Sequence, residues 1–189
     1  MINLDDIIKK ESEAEELLEL HSDFKALSTE YNTLCSQFNN DPILCDRKAD
    51  MADRLVKEFL DLFKRKNCFN VQKKNESSYE ITYGNFNARI IKKEDFSIVI
   101  YIFKEAEYTI SVDIATNDFK VEETEKLVPN INQKSTKADL MKSIEMLKNN
   151  ISIIDMRKRI VGNIKLVYYI YDVNNEFKTA VDVVNYIFN

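Results

Sequence analysis

The sequence predicts an α+β protein. It reads as an N-terminal long helical hairpin, then a four- to five-stranded antiparallel meander, then helix–strand–helix. Three observations carry this reading. Leu17, Leu20, Phe24, Leu27, Tyr31, Leu34 and Phe38 step 3, 4, 3, 4, 3, 4, the spacing of a coiled-coil seam or a buried helical stripe. At Tyr79 the period changes to two, and apart from the continuous apolar run Phe96–Phe103 it returns through Ile114. Beyond a polar stretch, Leu140, Ile144, Leu147, Ile151 and Ile154 return to helical spacing.

The first helix is expected over about 4–38, with Asn3 as its cap and a stop near Asn39-Asn40. Asp41 and Pro42 open a second helix, because proline at the first helical position loses no hydrogen bond. Ala52, Leu55, Phe59 and Leu62 give it a stripe that matches part of the first, so the two are expected to pair as an acidic hairpin over 1–68. An α+β domain is expected over 69–189.

Phe69 and Val71 mark a short edge strand. Tyr79–Tyr83 and Phe86–Ile90 flank Gly84-Asn85, which suits a two-residue hairpin turn. Phe96–Phe103 is apolar almost throughout and reads as a central strand covered on both faces. Tyr108–Ile114 alternates cleanly. Residues 117–134 read as a loop. Thr136 with Asp139 resembles a capping box for the third helix, and Gly162-Asn163 is expected to end it in the left-handed region. Ile164–Tyr171 is a further strand and Glu176–Phe188 a closing helix.

Composition excludes several classes. Gly84 and Gly162 are the two glycines, so no glycine-rich phosphate loop can form. Met1–Lys10 holds Asp5 and Asp6 and no long apolar run, so no signal peptide is expected. No apolar run reaches the ~18 residues of a membrane span. Cys35, Cys45 and Cys68 are odd in number and lack close pairs, which suits reduced thiols in a cytoplasm. Lysine outnumbers arginine 21 to 6, a bias that A/T-rich codons produce. Charge is uneven. Residues 1–63 carry 7 Lys+Arg and 15 Asp+Glu, net −8, and residues 64–189 carry 20 and 17, net +3.

Candidate chemistry is sparse. His21 is the single histidine and flanks the heptad stripe, where a helix-surface role suffices. With the three cysteines it makes up the count for a zinc site, but the spacings of 14, 10 and 23 residues lack the short ligand pairs such sites use. Asp118-Phe119-Lys120 offers half of a metal-dependent nuclease motif, with Asp113 or Glu107 as the strand acid. Glu122, Glu123 and Glu125 lack the glycine turn of a calcium loop. Arg157, Lys158 and Arg159, with Lys165 and Tyr168 near, form the most basic patch and suit phosphate contact. Tyr168, Tyr169 and Tyr171 would stack bases on an open strand, although alternation on a half-buried strand explains them.

The leading expectation is a non-catalytic protein-binding module, with no cofactor and no metal. A phage- or mobile-element-type inhibitor or an immunity protein would act this way. Its partner-binding residues would be Glu11, Glu13, Glu15, Glu16 and Glu19 with Leu20, Leu27 and Tyr31. An acidic helical face suits a basic, nucleic-acid-binding partner protein, or a homodimer, more than nucleic acid itself. A metal-dependent nuclease and a nucleic-acid binder using Arg157–Arg159 are the alternatives.

Overall fold

A computed structural model describes residues 4–103, 106–115, 127–132, 135–173 and 175–188. The elements are α1 Leu4–Asn39, α2 Pro42–Lys64, β1 Asn70–Asn75, β2 Ser78–Tyr83, β3 Phe86–Lys92, β4 Ile98–Ile102, β5 Ala106–Ile114, α3 Lys137–Arg159, β6 Leu166–Ile170, β7 Glu176–Phe177 and α4 Ala180–Phe188. The chain divides into two compact units that do not follow the expected boundary at residue 68. One is Met1–Asp41 with Val121–Val161, and the other is Pro42–Lys120 with Gly162–Asn189.

The first unit is a pair of helices, α1 and α3. Glu16 and Lys137 form an ion pair near one end, and Lys158 Nζ donates to Gln37 Oε1 at 2.9 Å near the other. Both contacts join residues 121 apart in sequence, so the helices run parallel. The stripes explain the register. Leu20, Phe24, Leu27, Tyr31 and Leu34 of α1 each have a counterpart 120 residues later: Leu140, Ile144, Leu147, Ile151 and Ile154. Equal steps let each apolar layer of one helix meet a layer of the other. On α1 these residues are half-buried while the remaining faces are exposed, and on α3 all but the half-buried Ile151 are buried.

The cap of α3 is as expected. Thr136 N–H donates to Asp139 Oδ2 at 3.0 Å, and Asp139 N–H donates to Thr136 Oγ1 at 3.2 Å. The Thr136 hydroxyl, which donates to Asp139 Oδ2 at 2.7 Å, and then the Thr136 N–H on the same oxygen hold the Asp139 carboxyl below its usual range. The far end differs from expectation. Gly162 does not adopt a positive φ, and a short 3-10 turn over Val161–Asn163 closes the helix instead. Asn3 lies outside the described residues.

The second unit is a seven-stranded antiparallel sheet, in place of four to five strands, with α2 and α4 packed in the same unit. Strand order follows the chain, β1 through β7. Beyond the β2–β5 meander the sheet takes in β6, the further strand expected near Ile164–Tyr171, and two strands that are polar or very short. β1 is the edge strand, exposed along nearly its whole length, and β7 is two residues paired to Tyr168 and Tyr169. Glu176–Phe177 therefore leaves the closing helix. That helix begins at Ala180, where Thr179 and Asp182 exchange N–H donations at 3.0 and 3.2 Å. Gly84, at φ 54°, makes the β2–β3 turn.

The stripe on α2 is spent inside this unit, while that on α1 faces α3. The reason is the width of its apolar face. Val56, Leu60 and Phe63 are buried beside Ala52, Leu55 and Phe59, and so broad a face suits a sheet better than a narrow helical seam. Phe59 and Phe63 meet Phe188 of α4 edge-on, with ring centroids 5.5 and 5.4 Å apart. Phe63 also packs on Phe69 and Phe86. Below α2 lie Ile81, Ala88, Ile90, Ile98, Ile100, Ile110 and Tyr168, all buried. The Tyr168 hydroxyl donates to the Met51 carbonyl at 2.9 Å, which satisfies it inside the core. Burial pushes its pKa up to about 12.

β4 lies at the middle of the sheet, as its apolar run implies, but only part of the run is covered on both faces. Val99 is buried on the second face, whereas Tyr101 is 39% and Phe103 62% exposed. Phe96 sits before the strand at φ 63°, in a turn where Asp95 accepts from Ser97 N–H and Oγ–H.

Candidate interaction surface

α1 is longer than its partner. It has 36 residues, about 54 Å at ~1.5 Å each, and α3 has 23. Lys137, the first residue of α3, is level with Glu16. Residues 4–15 of α1 therefore extend beyond α3 within this unit, by about 18 Å.

The seam also stops there in sequence. Stepping back from Leu17 at heptad spacing meets Glu13 and Lys10, both polar. A second stripe replaces it: Leu4, Ile7, Glu11, Ala14 and Leu18 step 3, 4, 3, 4, with Ile8 alongside. Leu18 follows Leu17 by one residue, so this stripe is turned about 100° from the seam. Leu4 is 72%, Ile8 66% and Leu18 70% exposed, and Ile7 is exposed too. Glu11, Glu13, Glu15, Glu16 and Glu19 are exposed around them. Of these acids, Glu16 pairs with Lys137.

Leu20, Leu27 and Tyr31 stand apart from that surface. They are half-buried on the seam facing α3. Tyr31 is the polar member of the seam. Burial, and then its hydrogen bond with Cys35, push its pKa up to about 12, while the nearby Arg157 opposes the shift. Burial lowers the pKa of the Arg157 guanidinium. A groove of about 620 Å³ opens beside Tyr31, lined by Phe24 and Ser28 of α1, Leu147 and Asn150 of α3, and the Leu127–Asn130 segment. None of the described residues that line it is a histidine, a cysteine or a carboxylate.

The basic patch is largely absorbed by the helix pair. Arg157 lies against Tyr31 and Cys35, and Lys158 binds Gln37, which leaves Arg159 exposed. The tyrosines of β6 do not make a stacking platform. Tyr168 is buried, and the Tyr169 hydroxyl hydrogen-bonds Glu176 at 2.7 Å and the Ile114 carbonyl at 3.2 Å. Tyr171 alone is open, at 75%.

Nor do the described residues assemble the other candidate centres. His21 and Cys35 stand 14 residues apart on one helix, roughly 21 Å along its axis. Cys45 is near the start of α2, and Cys68 lies past its end. All three cysteines are free thiols, and among the described residues no three His, Cys, Asp or Glu side chains form a metal-binding group. Asp113 accepts from Lys48 at 3.4 Å and from Ile114 N–H at 2.8 Å. Glu107 lies six residues away on the same strand, about 20 Å along it. Asp118, Lys120, Glu122, Glu123 and Glu125 lie outside the described residues.

Among the described residues no helix is long and apolar enough to cross a membrane. From sequence the acidic residues of this surface are evident, and Leu4, Ile7 and Ile8 read as a short apolar patch, but the continuation of that patch through Ala14 to Leu18 was missed. The signal was present in the adjacent Leu17-Leu18 pair, one leucine for each stripe. No known protein family matches the chain, and neither a curated protein nor a solved structure is similar to it.

Proposed function

We propose that this protein is a non-catalytic binding module that acts by docking a partner protein, in the manner of a small inhibitor or immunity protein of phage or mobile-element type. One observation carries the reading: α1 outruns α3 and presents Leu4, Ile7, Ile8 and Leu18 to solvent among five glutamates. Large exposed apolar side chains grouped on one helix face mark protein contacts more often than solvated surface. The charge supports a protein partner over nucleic acid. Residues 1–31 hold three Lys+Arg and nine Asp+Glu, which repels phosphate. The basic residues at Arg157–Lys158 are engaged within the helix pair. Reduced cysteines suit a cytoplasmic setting.

The test is recovery of the tagged chain from its natural host under gentle lysis, with and without nuclease. A stoichiometric protein that survives nuclease treatment is the expected result. Recovery of nucleic acid alone, or turnover of DNA or RNA by the pure protein with Mg²⁺ or Mn²⁺, would replace the reading.

A further inference from the structure

The geometry points to an amphipathic, Lys/Arg-flanked α-helix of a partner protein as the occupant of the second stripe on α1, the surface formed by Leu4, Ile7, Ile8, Ala14 and Leu18. The inference rests on the protein-binding reading above and narrows it to one surface and one chemistry.

The stripe asks for a helix. Its members recur at 3 and 4 residues over Leu4–Leu18, so they form a straight apolar line about 21 Å long. A helix laid along such a line places its own apolar residues into the gaps, as α3 does on the seam. α3 itself is committed elsewhere: it starts level with Glu16, and its apolar layers already face Leu20 through Leu34.

Charge selects among the possible helices. A second copy of this chain is disfavoured in either direction. In an antiparallel pair centred on the stripe, Glu11 faces Glu11 and Glu15 faces Ile7. In a parallel pair every glutamate lies beside its equivalent. Like charges at these positions oppose docking, and opposite charges favour it and speed encounter. Glu11 lies within the stripe, and Glu15 and Glu19 extend its edge by successive turns. All three are exposed. Lysine or arginine at matching positions of the partner supplies the complement.

The probe is a synthetic amphipathic peptide with leucine at heptad positions and lysine at the flanking ones, labelled for fluorescence anisotropy. Its control has glutamate in place of lysine. The full chain is expected to bind the lysine peptide and not the glutamate one. The double variant Ile7→Glu, Leu18→Glu is expected to lose about tenfold or more in affinity, about 1.4 kcal/mol or more. That variant is more acidic than the parent, so attraction of charge alone would strengthen binding. Both positions are exposed, and an unchanged helical circular dichroism signal certifies the fold. The variant Glu11→Lys, Glu15→Lys is expected to reverse the preference toward the glutamate peptide.

Equal or tighter binding by the Ile7→Glu, Leu18→Glu variant overturns the proposal. So does equal binding of both peptides, or a parent dimer in sedimentation that the same variant converts to monomer. If this variant still recovers the parent's partner from the host, protein binding stands and this surface is the wrong one.

Discussion

Replacing Ile100 with alanine tests the sheet at its centre. Ile100 is 1% exposed and lies on β4 between Ile90 and Tyr108, with Ile98 and Ile102 buried on the same face. The substitution removes three carbons. At ~0.8 kcal/mol for each buried methylene, transfer to water accounts for about 2.4 kcal/mol. A sheet held by neighbours on both sides collapses little around the gap, and the residual cavity brings the total to about 3–4 kcal/mol, within the ~2–5 range for such changes. Tyr101 is the control. It follows directly in the chain, points to the opposite face, and is 39% exposed. Tyr101→Thr keeps a strand-favouring residue there and is expected to cost less than about 1 kcal/mol. A one-residue error in register would exchange the two outcomes, because every side chain changes face. Urea unfolding followed by circular dichroism measures both. A cost below about 1 kcal/mol at Ile100, or a cost at Tyr101 that matches it, refutes the placement of β4.

Three further outcomes follow from the same geometry. Tyr31 and Tyr168 both have folded-state pKa values raised from 10.0 to about 12. Their contribution to stability is full below pH 10 and is lost as pH rises from there toward 12, so the urea midpoint should fall across that window. Tyr31→Phe should remove part of the fall. Thr136→Ala should destabilise the protein by about 1 kcal/mol through loss of the α3 cap. The Asp139 carboxyl is held below its usual range, so this cap works above the unfolded carboxylate pKa and weakens as pH drops through the folded one; a shallower acid limb in Thr136→Ala would confirm it. The purified protein should carry no stoichiometric zinc by elemental analysis, since its thiols are free and its ligand spacings poor.

Much of the fold was legible because its signals are local. The heptad steps of α1 and α3, the alternation of β2, β3 and β5, and the Thr136–Asp139 cap each lie within a few residues of chain. The partner of α1 was not legible in that way. Its stripe has a neighbour in sequence, α2, and the true match is 120 residues on. The identical order of steps in the two stripes was the one signal for it, and the expected pairing with α2 passed it over. β1 was weakly marked because an exposed edge strand needs no apolar face. Phe177 fitted the spacing of a helix and instead pairs with Tyr168. Tyr101 and Phe103 extended the apolar run of β4 although their face is open, since composition does not distinguish a buried aromatic from an exposed one. At the candidate surface the glutamates were evident from charge alone. Leu4, Ile7 and Ile8 showed as a short apolar patch, and its continuation to Leu18 was concealed by the stronger stripe beside it.

Cross-linking of α1 to α3 tests the helix pair directly, and with it the stretch of α1 left open for a partner. In a background with Cys35, Cys45 and Cys68 replaced by serine, Leu27→Cys with Leu147→Cys places two thiols in one layer of a parallel pair. Mild oxidation should give an intramolecular disulfide in high yield, read as a mobility shift that a reductant reverses. Leu20→Cys with Ile154→Cys, which stand at opposite ends of the parallel pair, about 21 Å apart along it, should give none. A disulfide in the second variant, or none in the first, would contradict the parallel register and remove the basis for the second stripe.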